Sequence, residues 1–393
     1  MRISTKSRQR LVNLTLLVGM IFACLVGGEI AARLLLRDTI VLFPRNFTAA
    51  HYDGATLRKL IPNSTFQHTS IDGTWEFRTN AQGFRDDENY EHRKPDGLRR
   101  VLVLGDSQTQ GFEVRQSSTF AKVLENRLRN KGIDAQVLNT GMSGFGTAEE
   151  LMYLEHEGIK YHPDAVVLAF FGNDFDDSVK SGLYELTDGK LVVRTTSYTP
   201  GVKAIAIMNA VPGAFWLSQH SYLFSLLVNT FWETAKETLR VVARKNLTTE
   251  YAVRVSAVND YERELVVALL QRMKAVTHAA NIPFIVVEIP SIAEHPDRTA
   301  WSPSVPDDLV PAVIANCDVY VPASSYLAGA EKGSIHVPHG HRHISEETHA
   351  RIADALDRVL SAESPRFSLR TSSYSGQQSG GRVPVSTALH YPQ

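Results

Sequence analysis

Gly105-Asp106-Ser107-Gln108-Thr109-Gln110-Gly111 follows directly on the apolar run Arg100–Leu104. A serine on such a strand-to-helix turn projects its hydroxyl outward, and the following helix N-terminus favours developing negative charge. The chemistry this suits is nucleophilic attack on a carbonyl, which needs a base and donors for an oxyanion. Asn139-Thr140-Gly141-Met142-Ser143-Gly144 and Gly172-Asn173-Asp174 offer small and amide residues as donors. The base can come from His343-Ile344-Ser345-Glu346-Glu347-Thr348-His349, ahead of the last helical pattern. His339, His341 and His343 alternate, which on one strand face would suit zinc, but acidic ligands are lacking beside them. Asp106 and Asp174 read as structural hydrogen-bonders. Arg85 could meet an anionic substrate, but a salt bridge fixing the N-terminal segment is the expectation.

The elements that must position these residues alternate strand and helix. Arg100–Leu104, Gln136–Leu138, Ala165–Phe171 and Pro283–Ile289 read as buried strands. Phe120, Val123, Leu124 and Leu128 recur at helical spacing, with Ser118 or Thr119 as cap. Thr147 and Glu150 read as a capping-box pair. Asp260–Ala279 is a long amphipathic helix, and Ser345 caps a last one reaching about Leu360. This alternation predicts an α/β fold with a mostly parallel sheet and helices on both faces. The three candidate loops then fall at strand carboxyl ends, where such sheets hold reactive groups.

Four blocks in this order resemble the SGNH (GDSL-type) hydrolase family, over about residues 100–360. Gly105-Asp106-Ser107-Gln108-Thr109-Gln110-Gly111 is similar to its nucleophile block, and Gly144 stands at its oxyanion glycine. Asn173-Asp174 matches the Asn-Asp of its third block, though Phe171 replaces a glycine, and His343 takes the place of the catalytic histidine. Thr79–Arg85 and the N-terminal segment resemble a membrane-anchored bacterial branch. The resemblance implies a three-layer α/β/α sandwich and a serine mechanism with no cofactor and no metal. Ser107 would attack an O-acyl ester and His343 would take its proton. The Ser107 and Gly144 N–H groups and the Asn173 side chain would hold the oxyanion. The family usually carries an aspartate two or three residues before its histidine; here those positions are His341 and Gly340. Three expectations follow: a dyad with His343 oriented by a backbone carbonyl, an acid folding in from elsewhere, for instance from the Ser291–Asp308 loop, or a degraded site.

The rest of the chain sets the context. Of 393 residues, 41 are Lys or Arg and 42 Asp or Glu, which argues against a nucleic-acid partner. Two cysteines build no disulfide framework. Residues 1–37 read as a membrane anchor: Arg2, Lys6, Arg8 and Arg10 precede an apolar stretch from Leu11 to about Gly28. The basic flank predicts a cytoplasmic N-terminus and an exported, periplasmic or extracellular, catalytic part. A cleaved signal peptide is the rival, but its cleavage site is not clear and the stretch is long. Residues 38–99 read as an extended lead-in, 100–360 as the catalytic domain and 361–393 as a disordered tail. Residues 178–258 interrupt the alternation. This insertion, which reads as a lid or a membrane-facing patch, holds a hairpin at Glu185–Val193 and an apolar helix-like stretch at Tyr222–Phe231; the stretch itself reads as core or lid packing, with a substrate-acyl contact as the alternative. The reading is therefore a serine esterase for O-acyl groups of an envelope or extracellular carbohydrate or lipid. Its alternatives are an O-acyltransferase using the same acyl-enzyme, and a non-catalytic glycan-binding or scaffold protein.

Overall fold

The computed structural model describes residues 5–245, 259–292 and 300–363. The first helix, α1 (Thr5–Leu35), has 31 residues. At 1.5 Å per residue it is about 46 Å long, beyond the roughly 30 Å of a bilayer's hydrocarbon core. Its Lys6–Leu35 part is long and apolar enough to cross a membrane.

The expected lead-in is more than an extended connection. It folds into two antiparallel hairpins, β1 (Phe47–Tyr52) with β2 (Ala55–Leu60), and β3 (Thr65–Ser70) with β4 (Gly73–Arg78). Phe66 and Phe77 of the second hairpin pack with Phe112, just past the nucleophile turn, in a small core of their own. Their period-2 burial is what lets a short hairpin attach to the domain rather than float beside it.

The domain proper begins with β5 (Arg99–Gly105), α2 (Ser107–Gln110), α3 (Phe120–Asn130), β6 (Ala135–Asn139), α4 (Thr147–His156), β7 (Ala165–Phe170) and α5 (Asp174–Ser181). The insertion follows, with β8 (Tyr184–Thr187), β9 (Lys190–Val193), β10 (Ser197–Tyr198), α6 (Val202–Ala210), α7 (Ala214–His220) and α8 (Tyr222–Lys245). The chain then returns through α9 (Asp260–Ala279), β11 (Phe284–Glu288), β12 (Ser291–Ile292), β13 (Trp301–Ser302), α10 (Val310–Ala315), β14 (Val319–Val321), α11 (Ala323–Leu327) and α12 (Glu346–Glu363).

The central sheet is parallel throughout, in the order β14-β11-β7-β5-β6. Every residue of β7 and β11 is buried, as a strand covered on both faces requires. Leu102, Leu104, Val166 and Leu168 face α4 and α9, against Leu151, Leu269 and Met273. Val101, Val103, Val167 and Ile285 face α3 and α12, against Leu124, Leu128, Ile352 and Leu356. The chain is thus a three-layer α/β/α sandwich.

Two local expectations shift. Gly146, not Thr147, precedes the first turn of α4, and Glu149 rather than Glu150 reaches back, accepting from Gly146 N at 3.2 Å. The hairpin of β8 and β9 turns on Asp188 and Gly189, both with positive φ, as a two-residue loop of this twist demands. The insertion's last residues, 246–258, and most of the expected tail, 364–393, lie outside the described residues.

Candidate active site

β5 runs buried to Gly105, and the chain turns at once into α2. Asp106 fixes the turn: its Oδ1 accepts from Gln108 N at 2.8 Å. A Cβ on Gly105 would stand 2.1 Å from Thr109 Oγ1, so only glycine lets α2 fold back this tightly on its strand. Ser107 is the first residue of α2, with its hydroxyl facing a cavity of about 650 Å³.

His343 arrives from the other end of the chain. Its segment pairs back on itself through the His336–Ile344 bridge, and Val337 N donates to His343 O at 2.8 Å. Ile344 N donates to Gln108 Oε1 at 2.9 Å, tying the histidine to the nucleophile turn. The result is His343 Nε2 at 2.9 Å from Ser107 Oγ.

The other ring nitrogen meets an acid that sequence reasoning missed. His343 Nδ1 lies 3.4 Å from Glu113 Oε2. Glu113 also accepts from the backbone N–H of His341 at 2.9 Å and of His343 at 3.2 Å. Burial opposes its charge, but the hydrogen bond and charge of His343, the neighbouring His68 ring and the His341 N–H outweigh that. The carboxyl is held at about 2, below its usual range. Of the three expectations, the dyad, the acid from elsewhere and the degraded site, this geometry matches the second. The acid folds in from six residues beyond the serine rather than from the Ser291–Asp308 loop. In that other loop Asp308 pairs with Arg263, and residues 293–299 lie outside the described residues.

Two features mark Glu113 as placed under constraint. Its φ is +61°, a left-handed backbone that a glutamate adopts only when its surroundings impose it. Its Oε1 also lies 2.0 Å from where a Cβ on Gly340 would be. The carboxylate occupies the room freed by the glycine, at one of the positions where the resemblance led one to look for aspartate. The only sequence signal was that absence together with a lone acid just past Gly111.

Gly144 and Asn173 line the same cavity as Ser107 and His343. Asn173 is not idle: its Nδ2 donates to Asp106 Oδ2 and Asp177 Oδ2, both at 3.2 Å. Burial pushes Asp106 up to about 6, against the pull of the Gln108 N–H and His343. Arg58 of β2, also missed, donates to Ser143 O at 2.7 Å and so holds the Gly144 loop. Burial lowers its pKa. Among the described residues Arg85 makes no salt bridge of the expected kind. It is buried and donates to the carbonyls of Gln110, Gly111, Val114 and Glu76, with its guanidinium 3.6 Å over the Phe77 ring. Burial lowers it to about 9.

The alternating histidines do not converge. His339 binds Asp72 at 2.8 Å, His341 lines the cavity, and His343 takes Ser107. Among the described residues no group of three or more His, Cys, Asp or Glu is placed to hold a metal.

Residues 103–310 match the GDSL-like lipase/acylhydrolase family. The matched stretch includes Ser107, Gly144 and Asn173 and stops short of His343. No curated protein matches. Among solved structures, TesA is 14% identical, with 67% of this chain and 98% of that chain covered and a TM-score of 0.34. A lipase/acylhydrolase from Enterococcus faecalis is 14% identical, with 67% and 95% covered and a TM-score of 0.34. The acetyl xylan esterase AlAXEase is 14% identical, with 66% and 99% covered and a TM-score of 0.36.

Proposed function

The chain belongs to the GDSL-like lipase/acylhydrolase family, and from that premise we propose that it is a serine esterase for O-acyl groups, working through Ser107, His343 and Glu113. The observation that carries this reading is the pairing of His343 with Ser107 at 2.9 Å and with Glu113 on its far side. Ser107 Oγ attacks the ester carbonyl while His343 Nε2 takes its proton. Glu113 holds the proton on Nδ1, so that Nε2 is the basic nitrogen, and its charge stabilises the imidazolium that forms. The oxyanion is met by the Ser107 and Gly144 N–H groups and by Asn173, whose amide exchanges one of its two long carboxylate bonds for it. Collapse of the tetrahedral species expels the alcohol, which His343 protonates. Water activated by His343 then releases the acid and restores Ser107.

We place the catalytic part outside the cytoplasm, held by α1. The basic residues before Leu11 support that orientation. The substrate is an acyl ester of an envelope carbohydrate or lipid. The test is labelling with a fluorophosphonate together with turnover of a short-chain nitrophenyl ester. Wild type should be labelled and active, and Ser107→Ala neither. A loss of about 10³-fold or more is also expected for His343→Ala. Turnover that survives Ser107→Ala would sink the reading.

A further inference from the structure

We propose that α6–α8 of the insertion rest on the surface of the bilayer where α1 leaves it, and that the cavity takes its ester from an amphiphile resident in that bilayer. This rests on reading α1 as a membrane span and Ser107 as the nucleophile.

The first support is a junction. Glu29, near the end of α1, accepts from Ser221 Oγ at 2.7 Å, Tyr222 N at 3.1 Å and Leu223 N at 2.9 Å. It thereby satisfies N–H groups that α8 leaves free at its start. Arg33 donates to His220 O at 2.6 Å and lies 5.0 Å over the Tyr222 ring. A Cβ on Gly28 would sit 3.1 Å from Leu223 Cδ2, so the two helices touch there. The uncharged stretch Leu11–Gly28 spans roughly 27 Å, close to a hydrocarbon core. A carboxylate is costly inside that core. The membrane surface therefore falls at Glu29 to Arg33, and the start of α8 lies at the same level.

The second support is what α7 and α8 leave uncovered there. Leu227 and Phe231 follow Leu223 at spacings of four, on the stripe that begins against α1, and are 62% and 68% exposed. Trp216 is 59% exposed and stacks on His220, whose carbonyl Arg33 holds. Tryptophan beside the charged end of a span is the residue type favoured at headgroup level. Single exposed apolar residues need no explanation; these adjoin the span itself.

The third support is continuity with the cavity. Phe231 and Trp232 line it, as does Thr39, four residues past α1. The apolar stripe thus runs from the membrane exit into the site wall. An acyl chain can follow it without crossing water, whereas a soluble glycan would gain nothing from it.

The test uses the full chain in phosphatidylcholine vesicles. α1 carries no tryptophan, so quenching by lipids brominated on their acyl chains reads the part outside the span. The expected result is quenching that Trp216→Phe reduces. Trp216→Ser with Leu227→Ser should also slow turnover of a vesicle-embedded long-chain ester by about tenfold, leaving nitrophenyl acetate within about twofold of wild type. Ile207→Ser, at a 72% exposed position, is a second variant with the same expectation. Absent quenching, or equal turnover of the embedded ester by wild type and both variants, overturns the proposal. Failure of the serine reading is seen separately: Ser107 would escape the fluorophosphonate, while quenching would still report the surface.

Discussion

Glu113 stands where neither its own backbone preference nor sequence proximity to the histidine would put it. Its carboxylate fills the space above Gly340 and ties down two backbone N–H groups of the histidine segment. Those bonds orient His343 as well as polarise it, so removing the charge should cost mainly turnover. Glu113→Gln is expected to lower kcat by about 10³–10⁴ with little change in KM. Because the carboxyl is held at about 2, its own ionisation should add no pH dependence to that loss at assay pH values above about 4. Gly340→Asp in a Glu113→Ala background restores an acid from the opposite side, at a positive φ that aspartate tolerates. At least about tenfold recovery over Glu113→Ala alone is expected. His341→Ala should cost much less than His343→Ala, since His341 offers Glu113 its backbone N–H rather than its ring. No difference between Glu113→Gln and wild type in steady-state kinetics would remove Glu113 from the mechanism.

At the scale of elements, the segment that leads into the sheet is part of the site's frame. The second hairpin, with Phe66 and Phe77, packs under Phe112, and Arg85 gathers the carbonyls of the loop that carries Glu113. A guanidinium serves several carbonyls at once because its donors form a rigid planar fork. Arg85→Leu leaves those buried carbonyls without a donor and should cost about 2–4 kcal/mol in urea unfolding. Arg85→Lys should recover only part of this. A cost below about 1 kcal/mol would show that the loop holds itself.

Across the whole molecule, stability carries two opposing dependences on pH. Burial keeps His68 well below its usual 6.5 and His349 at about 3, so both stay neutral when folded. The unfolded histidines bind protons below about 6.5, so stability rises with pH up to that point and no further. Glu149 works the other way. Burial raises it from 4.5 to about 8, with Asp177 adding and Lys180 opposing. Its folded form keeps a proton that the unfolded form has lost, so stability falls as pH rises from about 4.5 to about 8. Burial raises Glu150 and Asp174 too, with the charge of Asp106 adding to Glu150 and that of Glu150 adding to Asp174. Below about pH 6.5 the two groups offset each other; above it only the carboxyls act. Tm should therefore peak near pH 6 and decline toward pH 8.5, and Glu149→Gln should flatten the decline. A Tm that rises steadily to pH 8.5 would contradict this balance.

What the sequence determined by itself was what short spans of chain encode. Ser107 on its turn, Gly144, Asn173 and the buried strands were legible because a strand, a tight turn and a helix start are each written in a few adjacent residues. His343 was legible because it stands before a capped helix at the end of the same pattern. The tertiary structure alone decided which acid faces His343, because any carboxylate can serve if the chain folds it into reach, here across a separation of 230 positions. It also decided that Arg58 and Arg85 hold the site's loops through carbonyls, and that Glu29 of the first helix caps the eighth. Such contacts join segments far apart in the chain. They depend on the space that packing leaves, as Glu113 in the room above Gly340 shows, and no local pattern records that space.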